Sequence, residues 1–390
     1  MALMEQKQEK IIQIANNSFF FAAYTIWMFR AFFNTTYFYQ ASWLERFNLH
    51  ALDAVWVLCV FCIVLQFRFE WKELLLLFLV MSSYWICNAT GVVSFSVAVF
   101  LIYAARGISF RKIAIWTVVM QACLLAFVVT CSLTGVIENH IFWQYGVNDV
   151  RCRYGLGFLY CSYTSHYLLL FLMLYLVVRK RVRWYEMVLL LGLNIAGFLA
   201  TDTKTDMLSL ALMCATVVIL KFLCIKKVDL RKISYLAFSV PFLFWVASFV
   251  MAKLYDPTSA NWIKLNRILS DRLLLSHQAL VDYPIHLFGQ KIKWVGGSAM
   301  IKDPTQIYNY VDNNYISVML QRGVLFTFLM CLSYGRALYI SIKKNQLAMA
   351  AGLFVFTVVG LVNPEMRNLL YNTFMLVLLK SEKQFEELET

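Results

Sequence analysis

Val311-Asp312-Asn313-Asn314-Tyr315 closes the longest polar stretch of the chain, residues 253–314, and opens an apolar segment that runs on to about residue 334. Three of the five prolines (Pro257, Pro284, Pro304) and two of the five histidines (His277, His286) fall inside that stretch. On either side stand apolar segments of membrane-spanning length joined by short links. A polytopic chain with one sizeable polar island has placed its chemistry there. The face of the membrane on which the island lies therefore decides most of the function.

Composition supports the membrane reading. Of 390 residues 61% are hydrophobic, 16% aromatic and only 15% charged, with a mean hydropathy of +0.66. No soluble core needs that much apolar surface. The start, Met1 to Asn17, is polar and mixed in charge with no small-residue cleavage site after it, so the first span is expected to stay in the membrane. Hydropathy places spans near 19–39, 49–66, 74–88, 91–105, 113–133, 157–178, 187–201, 205–223, 233–252, 315–334, 347–363 and 367–380. The third, fourth, seventh and twelfth are short for the ~20 residues of a perpendicular helix, and the third and fourth can also be read as a re-entrant hairpin. The expected fold class is an all-α polytopic membrane protein of about twelve transmembrane helices with one large extracytoplasmic loop containing short helices. Its parts would be helices 1–9 (1–252), the loop (253–314), and helices 10–12 with a tail (315–390).

Basic residues orient it. Lys7 and Lys10, then the links around 68–72, 106–112, 179–183 (Arg179, Lys180, Arg181, Arg183), 221–232 and 336–344, and finally Lys380 and Lys383 hold 21 of the 35 Lys and Arg residues. Every alternate link is represented. Short basic links stay cytoplasmic, which puts both termini inside and 253–314 outside. The net charge of +13 is then accounted for by this rule and by anionic lipid at the inner leaflet, not by nucleic acid. Eight of the ten cysteines lie in or at the ends of spans and read as small apolar residues; Cys152 and Cys161 lie near the outer surface and can pair. No Cys/His spacing resembles a zinc site and no Gly-rich phosphate loop is present, so neither metal nor nucleotide is expected. No internal repeat of the transporter kind is visible.

The outer-face polar residues admit bland and functional readings. Arg151 and Arg153, before Gly155 and Gly157, either lie among lipid headgroups or grip a phosphate that the glycines allow close to the backbone. Thr201 to Asp206 reads as a helix start with Thr203 as N-cap and Asp206 at N3, and Lys204 beside it would complete an anion site. Asn266 to Val281 has helical periodicity, with Arg267 and Asp271 spaced for an ion pair and Arg272 left without one. His277 and His286 are structural or catalytic. Asp312 and Asn313 are a cap or a site, Tyr315 an interfacial anchor or a ligand contact. Arg322, two turns into a span, should face the protein interior or a watery cavity.

These residues carry a resemblance. Arg153-x-x-Leu156-Gly157-Phe158, the Thr201–Thr205 turn with its basic Lys204, the run from Leu269-Ser270-Asp271-Arg272 to Leu287-Phe288-Gly289-Gln290-Lys291-Ile292, and Asp312-Asn313-x-Tyr315 followed by Leu320 and Gly323 together resemble the repeat-unit polymerases of bacterial capsule and O-antigen synthesis, the Wzy family within the O-antigen ligase-like superfamily. Asp271 stands where that pattern has Gly, and Lys204 where it often has Arg. The resemblance implies a metal-independent glycosyltransferase without cofactor in the bacterial plasma membrane. Its donor would be a growing glycan on undecaprenyl pyrophosphate and its acceptor a single repeat unit on the same carrier, with a flippase and a chain-length regulator as partners. Arg153, Lys204 and Arg272 would meet the pyrophosphate. Asp312, or behind it His277, would take the acceptor proton, with Arg267, Asn313, Tyr315 and Arg322 contacting substrate. A flippase of lipid-linked sugars and a ligase of finished glycans stay open as alternatives.

Overall fold

A computed structural model of the chain describes residues 2–145, 150–179, 183–296 and 308–386. Lys180, Arg181 and Pro304, used above, lie outside the described residues. The helices are α1 (Ala2–Phe33), α2 (Ser42–Gln66), α3 (Trp71–Ala89), α4 (Val93–Ala104), α5 (Phe110–Leu133), α6 (Cys161–Val178), α7 (Trp184–Thr201), α8 (Lys204–Ile225), α9 (Leu230–Leu254), α10 (Ala260–Ile268), α11 (Arg272–Asp282), α12 (Asn314–Lys343) and α13 (Leu347–Val359), with a last short helix at Glu382–Glu386. Contacts divide the chain into two compact units. One holds Met1–Val80, Val97–Ala211 and Leu379–Thr390; the other holds Met81–Ser96 and Leu212–Leu378.

Among the described residues eight helices are long and apolar enough to cross a membrane: α2, α3, α5, α6, α7, α8, α9 and α12. Two shorter apolar helices, Phe95–Gly107 and Leu347–Val359, match expected spans as well. The protein is thus a largely helical, multi-pass membrane protein. Helix α1 covers most of the first expected span and is long enough, but Asn16, Asn17 and Arg30 interrupt its apolar surface. The expected helix at 367–380 is not one. Its residues form short 3-10 turns, Pro364–Arg367 and Thr373–Val377. Asn372 is the cause: its side-chain amide donates to Met366 O (2.9 Å) and to Tyr334 Oη (2.7 Å), bonds that compete with helical pairing. All of residues 369–378 are buried, the condition under which irregular backbone is tolerated at membrane depth.

The first unit also departs from an all-helical expectation. After α5 the chain forms a hairpin, β1 (Ile141–Tyr145) antiparallel to β2 (Val150–Tyr154), with Phe142 opposite Arg153 and Gln144 opposite Arg151. Alternation along the strands puts both arginines on one face and exposed Ile141, Trp143, Val150 and Tyr154 on the other.

In the second unit α9 packs closely on α12. A Cβ on Gly335 would stand 2.4 Å from Phe238 O, so only glycine lets the backbones approach there. Helix α12 is broken in its middle, where Gly323 takes φ 93°, ψ 167°. The amide of Asn314 lies 3.7 Å from Met330 Sδ. In an unbroken helix these residues would be about 24 Å apart along the axis at 1.5 Å per residue. Residues 314–322 therefore fold back over the segment that starts at 324. The outside of this elbow is filled by residues 286–290, whose carbonyls at His286 and Leu287 accept from Val324 N and Leu325 N, while Gln290 N donates to Gln321 O.

Candidate functional site

In the first unit the hairpin aims Arg153 at the turn between α7 and α8. Its Nε donates to Thr201 O (2.8 Å) and its Nη2 reaches Thr203 Oγ1 (3.4 Å), while Arg151 Nη1 pairs with Asp202 Oδ2 (3.2 Å). Asp202 holds the left-handed conformation that lets α7 stop and α8 start three residues later. Lys204 is the first residue of α8, exposed, and its ammonium has no partner among the described residues.

Two expectations change here. Thr203 Oγ1 donates to Thr201 O rather than capping α8, and Asp206 turns inward, where its Oδ2 lies 2.7 Å from His166 Nδ1 with both side chains buried. Gly155 and Gly157 are packed on protein, not held open for a ligand. A Cβ on Gly155 would meet Phe158 O at 2.8 Å, and Gly157 O accepts from Tyr37 N. Phe158 is fully buried beside Phe32 and Tyr167. The Leu156-Gly157-Phe158 turn thus ties β2 and α6 to the chain after α1. Cys152 and Cys161 are both free thiols.

In the second unit the polar stretch begins with an Asx turn, where Thr258 donates to Asp256 Oδ1 from its hydroxyl (2.6 Å) and its N–H (2.8 Å). Those bonds hold the Asp256 carboxyl below the usual carboxylate range. The expected single helix 266–281 is two, α10 and α11, separated where Ser270 (φ 53°) and Asp271 (φ 62°) are both left-handed. Asn266 holds the break. Its Nδ2 donates to Asp271 Oδ1 (2.8 Å) and its Oδ1 accepts from Leu274 N (2.9 Å). Asp271 is consequently bonded to Asn266, and no ion pair joins it to Arg267 among the described residues. Arg267 is exposed and lines an open hollow with Lys264.

Breaking the helix places Arg272 at the first position of α11, and there it finds a partner after all. Its Nε donates to Asp312 Oδ2 at 3.1 Å, with both side chains about one-quarter exposed. A cation and a carboxylate 40 residues apart, the carboxylate at the end of the polar stretch, are thereby joined at a surface a ligand can reach. Asp312 is not the cap of α12. Asn313 is, accepting from Ile316 N (3.1 Å) and donating to Ser248 Oγ and Leu361 O, both at 3.0 Å. Tyr315 is fully buried, donating to Thr357 O (2.9 Å); it is a core residue, not an interfacial one.

His277 lies further along α11, and its Nδ1 is 2.9 Å from Ala252 O. A carbonyl can only accept, so Nδ1 carries a proton there, and in the tautomer this selects the lone pair is on Nε2. Five residues on from Arg272, it points about 140° away around the helix. His286 is exposed, and its carbonyl is engaged by the α12 elbow. Arg322 ends the folded-back segment and is buried, its guanidinium 3.9 Å over the Phe95 ring.

Sequence reasoning missed the His166–Asp206 pair and the contact of Arg367 Nη1 with Ser317 Oγ. An ionisable residue inside the span 157–178 was the signal for the former. Comparison with known proteins finds no match: no family model fits the chain, and neither a curated protein nor a solved structure is similar to it.

Proposed function

We propose that the protein joins undecaprenyl-pyrophosphate-linked oligosaccharide repeat units into a surface polysaccharide at the outer face of the bacterial plasma membrane, as the Wzy-like motifs imply. The observation that carries this reading is the Arg272–Asp312 pair. A lipid pyrophosphate is already a good leaving group, so the reaction needs cations and a base more than a metal. Incoming pyrophosphate competes for the Arg272 guanidinium and so releases the Asp312 carboxylate. Asp312 then takes the proton of the acceptor hydroxyl as that oxygen bonds to the anomeric carbon, and the bond from that carbon to the pyrophosphate oxygen breaks. Undecaprenyl pyrophosphate leaves with the electron pair, its charge met by Arg272. Arg153 and Lys204 carry the anion-holding role that the resemblance gives them, and His277 Nε2 is the reserve base.

The finer topology belongs to the same proposal. Helices α1 to α9, the segment 324–343 of α12, α13 and the run 361–380, with its 3-10 turns and its buried residues 369–378, make twelve crossings. Both termini are then cytoplasmic and residues 255–313 extracytoplasmic, in line with the basic links.

Deleting the gene tests the reading. Loss of long polysaccharide with single lipid-linked repeat units accumulating at the outer face is the expected result. Repeat units trapped inside would instead indicate a flippase, and full-length polymer stranded on its carrier a ligase.

A further inference from the structure

Arg322 is 3% exposed, and neither its Nε nor its Nη1 has a hydrogen-bond partner among the described residues. Phe95 at 3.9 Å and Phe326 at 5.5 Å offer ring faces, and the carbonyl end of the segment 314–322 offers a favourable dipole. Those contacts suffice to place one cation. They do not account for a second. Arg367, on the turn Pro364–Arg367, is close enough for its charge to act on Arg322, and its Nη1 contacts Ser317 Oγ in the folded-back segment. Among the described residues neither guanidinium is within ion-pair distance of a carboxylate.

Two like charges in largely apolar surroundings repel, and among the described residues neither has the counter-ion that buried charges ordinarily keep. Polar neighbours do not relieve this: Cys87 and Tyr310, the other titratable groups acting on Arg322 among the described residues, offer a thiol and a phenol and no carboxylate. The unpartnered Nε and Nη1 of Arg322 leave donors available to an oxyanion. Guanidinium groups bind phosphate oxygens through paired N–H donors, and a pyrophosphate diester or a phosphodiester would neutralise one or both charges.

We propose that Arg322 and Arg367 form a phosphate-class oxyanion site on the inner side of the α12 elbow, separate from the Arg272–Asp312 pair. The site does not depend on the polymerase reading; any phosphate-bearing amphiphile, lipid headgroup or lipid-linked pyrophosphate, has the required chemistry.

Binding to purified, delipidated full-length protein tests it with two probes, inorganic pyrophosphate and short-chain phosphatidylglycerol, against short-chain phosphatidylcholine. At least one anionic probe should bind and raise the Tm. Arg367→Gln, at a partly exposed position, should weaken that binding at least tenfold, Arg322→Gln should do the same or more, and Lys264→Gln, an exposed charge on α10, should leave it unchanged. Binding of pyrophosphate identifies a substrate-like group as the ligand, and binding of phosphatidylglycerol alone identifies a headgroup. Equal binding of both probes by wild type and Arg367→Gln, or no binding of either probe, would overturn the site. Those results would leave the polymerase reading standing, since it rests on Arg272 and Asp312.

Discussion

At the scale of single residues the account turns on an exchange of partners. Arg272 and Asp312 neutralise each other at rest, so the pair is stable without substrate and responsive to a stronger anion. Removing the guanidinium should cost on the order of 2–4 kcal/mol of transition-state stabilisation, a loss of roughly a hundredfold or more in polymer formed per enzyme. Arg272→Ala is expected to show that loss. Arg272→Lys keeps the charge without the planar fork and should retain part of the activity. Asp312→Asn keeps shape but not basicity, and because Asn313 caps α12, the helix start should be unaffected. Polymer yield near wild type from Asp312→Asn, at equal protein level, would remove the base from Asp312. His277→Asn then separates the candidates: asparagine can still donate to Ala252 O but has no ring nitrogen to take a proton. With Asp312 as base, that variant should keep most of its activity.

At the scale of elements the elbow in α12 is the feature on which that end of the second unit is built. Gly323→Ala adds a Cβ 2.3 Å from Leu287 O at a φ of 93°. Strain and clash together should destabilise by about 2–4 kcal/mol, seen as a lowered Tm in detergent. Gly192→Ala in α7 is the control. Nothing lies within 4 Å of its Cβ, so it should be neutral or stabilising by up to about 1 kcal/mol. The apolar helices could be read from the sequence because about twenty consecutive apolar residues have few other fates. The elbow could not, since Gly323 sits in an uninterrupted hydropathic segment and the contacts that select its backbone come from residues 286–290. The break between α10 and α11 was hidden for a related reason. Ser270 and Asp271 carry no glycine signal, and the bonds from Asn266 that hold them left-handed are side-chain choices that periodicity does not register. The same holds for 367–380, apolar enough for a helix but diverted by Asn372. Arg272 and Asp312 were legible as candidates by residue type; their pairing depended on that unforeseen break.

At the scale of the whole molecule, function requires the polar stretch to face outward. Asn261, exposed on α10, is a suitable reporter. On a background lacking Cys152 and Cys161, Asn261→Cys should react with a membrane-impermeant maleimide in intact cells. Reaction only after permeabilisation would place residues 255–313 inside and end the proposed chemistry.

Reconstitution reaches the central claim most directly. Purified protein in liposomes, supplied with a single undecaprenyl-pyrophosphate-linked repeat unit and no nucleotide or added metal, should convert it into a ladder of longer lipid-linked glycans and release undecaprenyl pyrophosphate. Arg272→Ala at the same protein density should give almost none. Substrate recovered unchanged from wild-type protein, or moved between leaflets without elongation, would contradict the account.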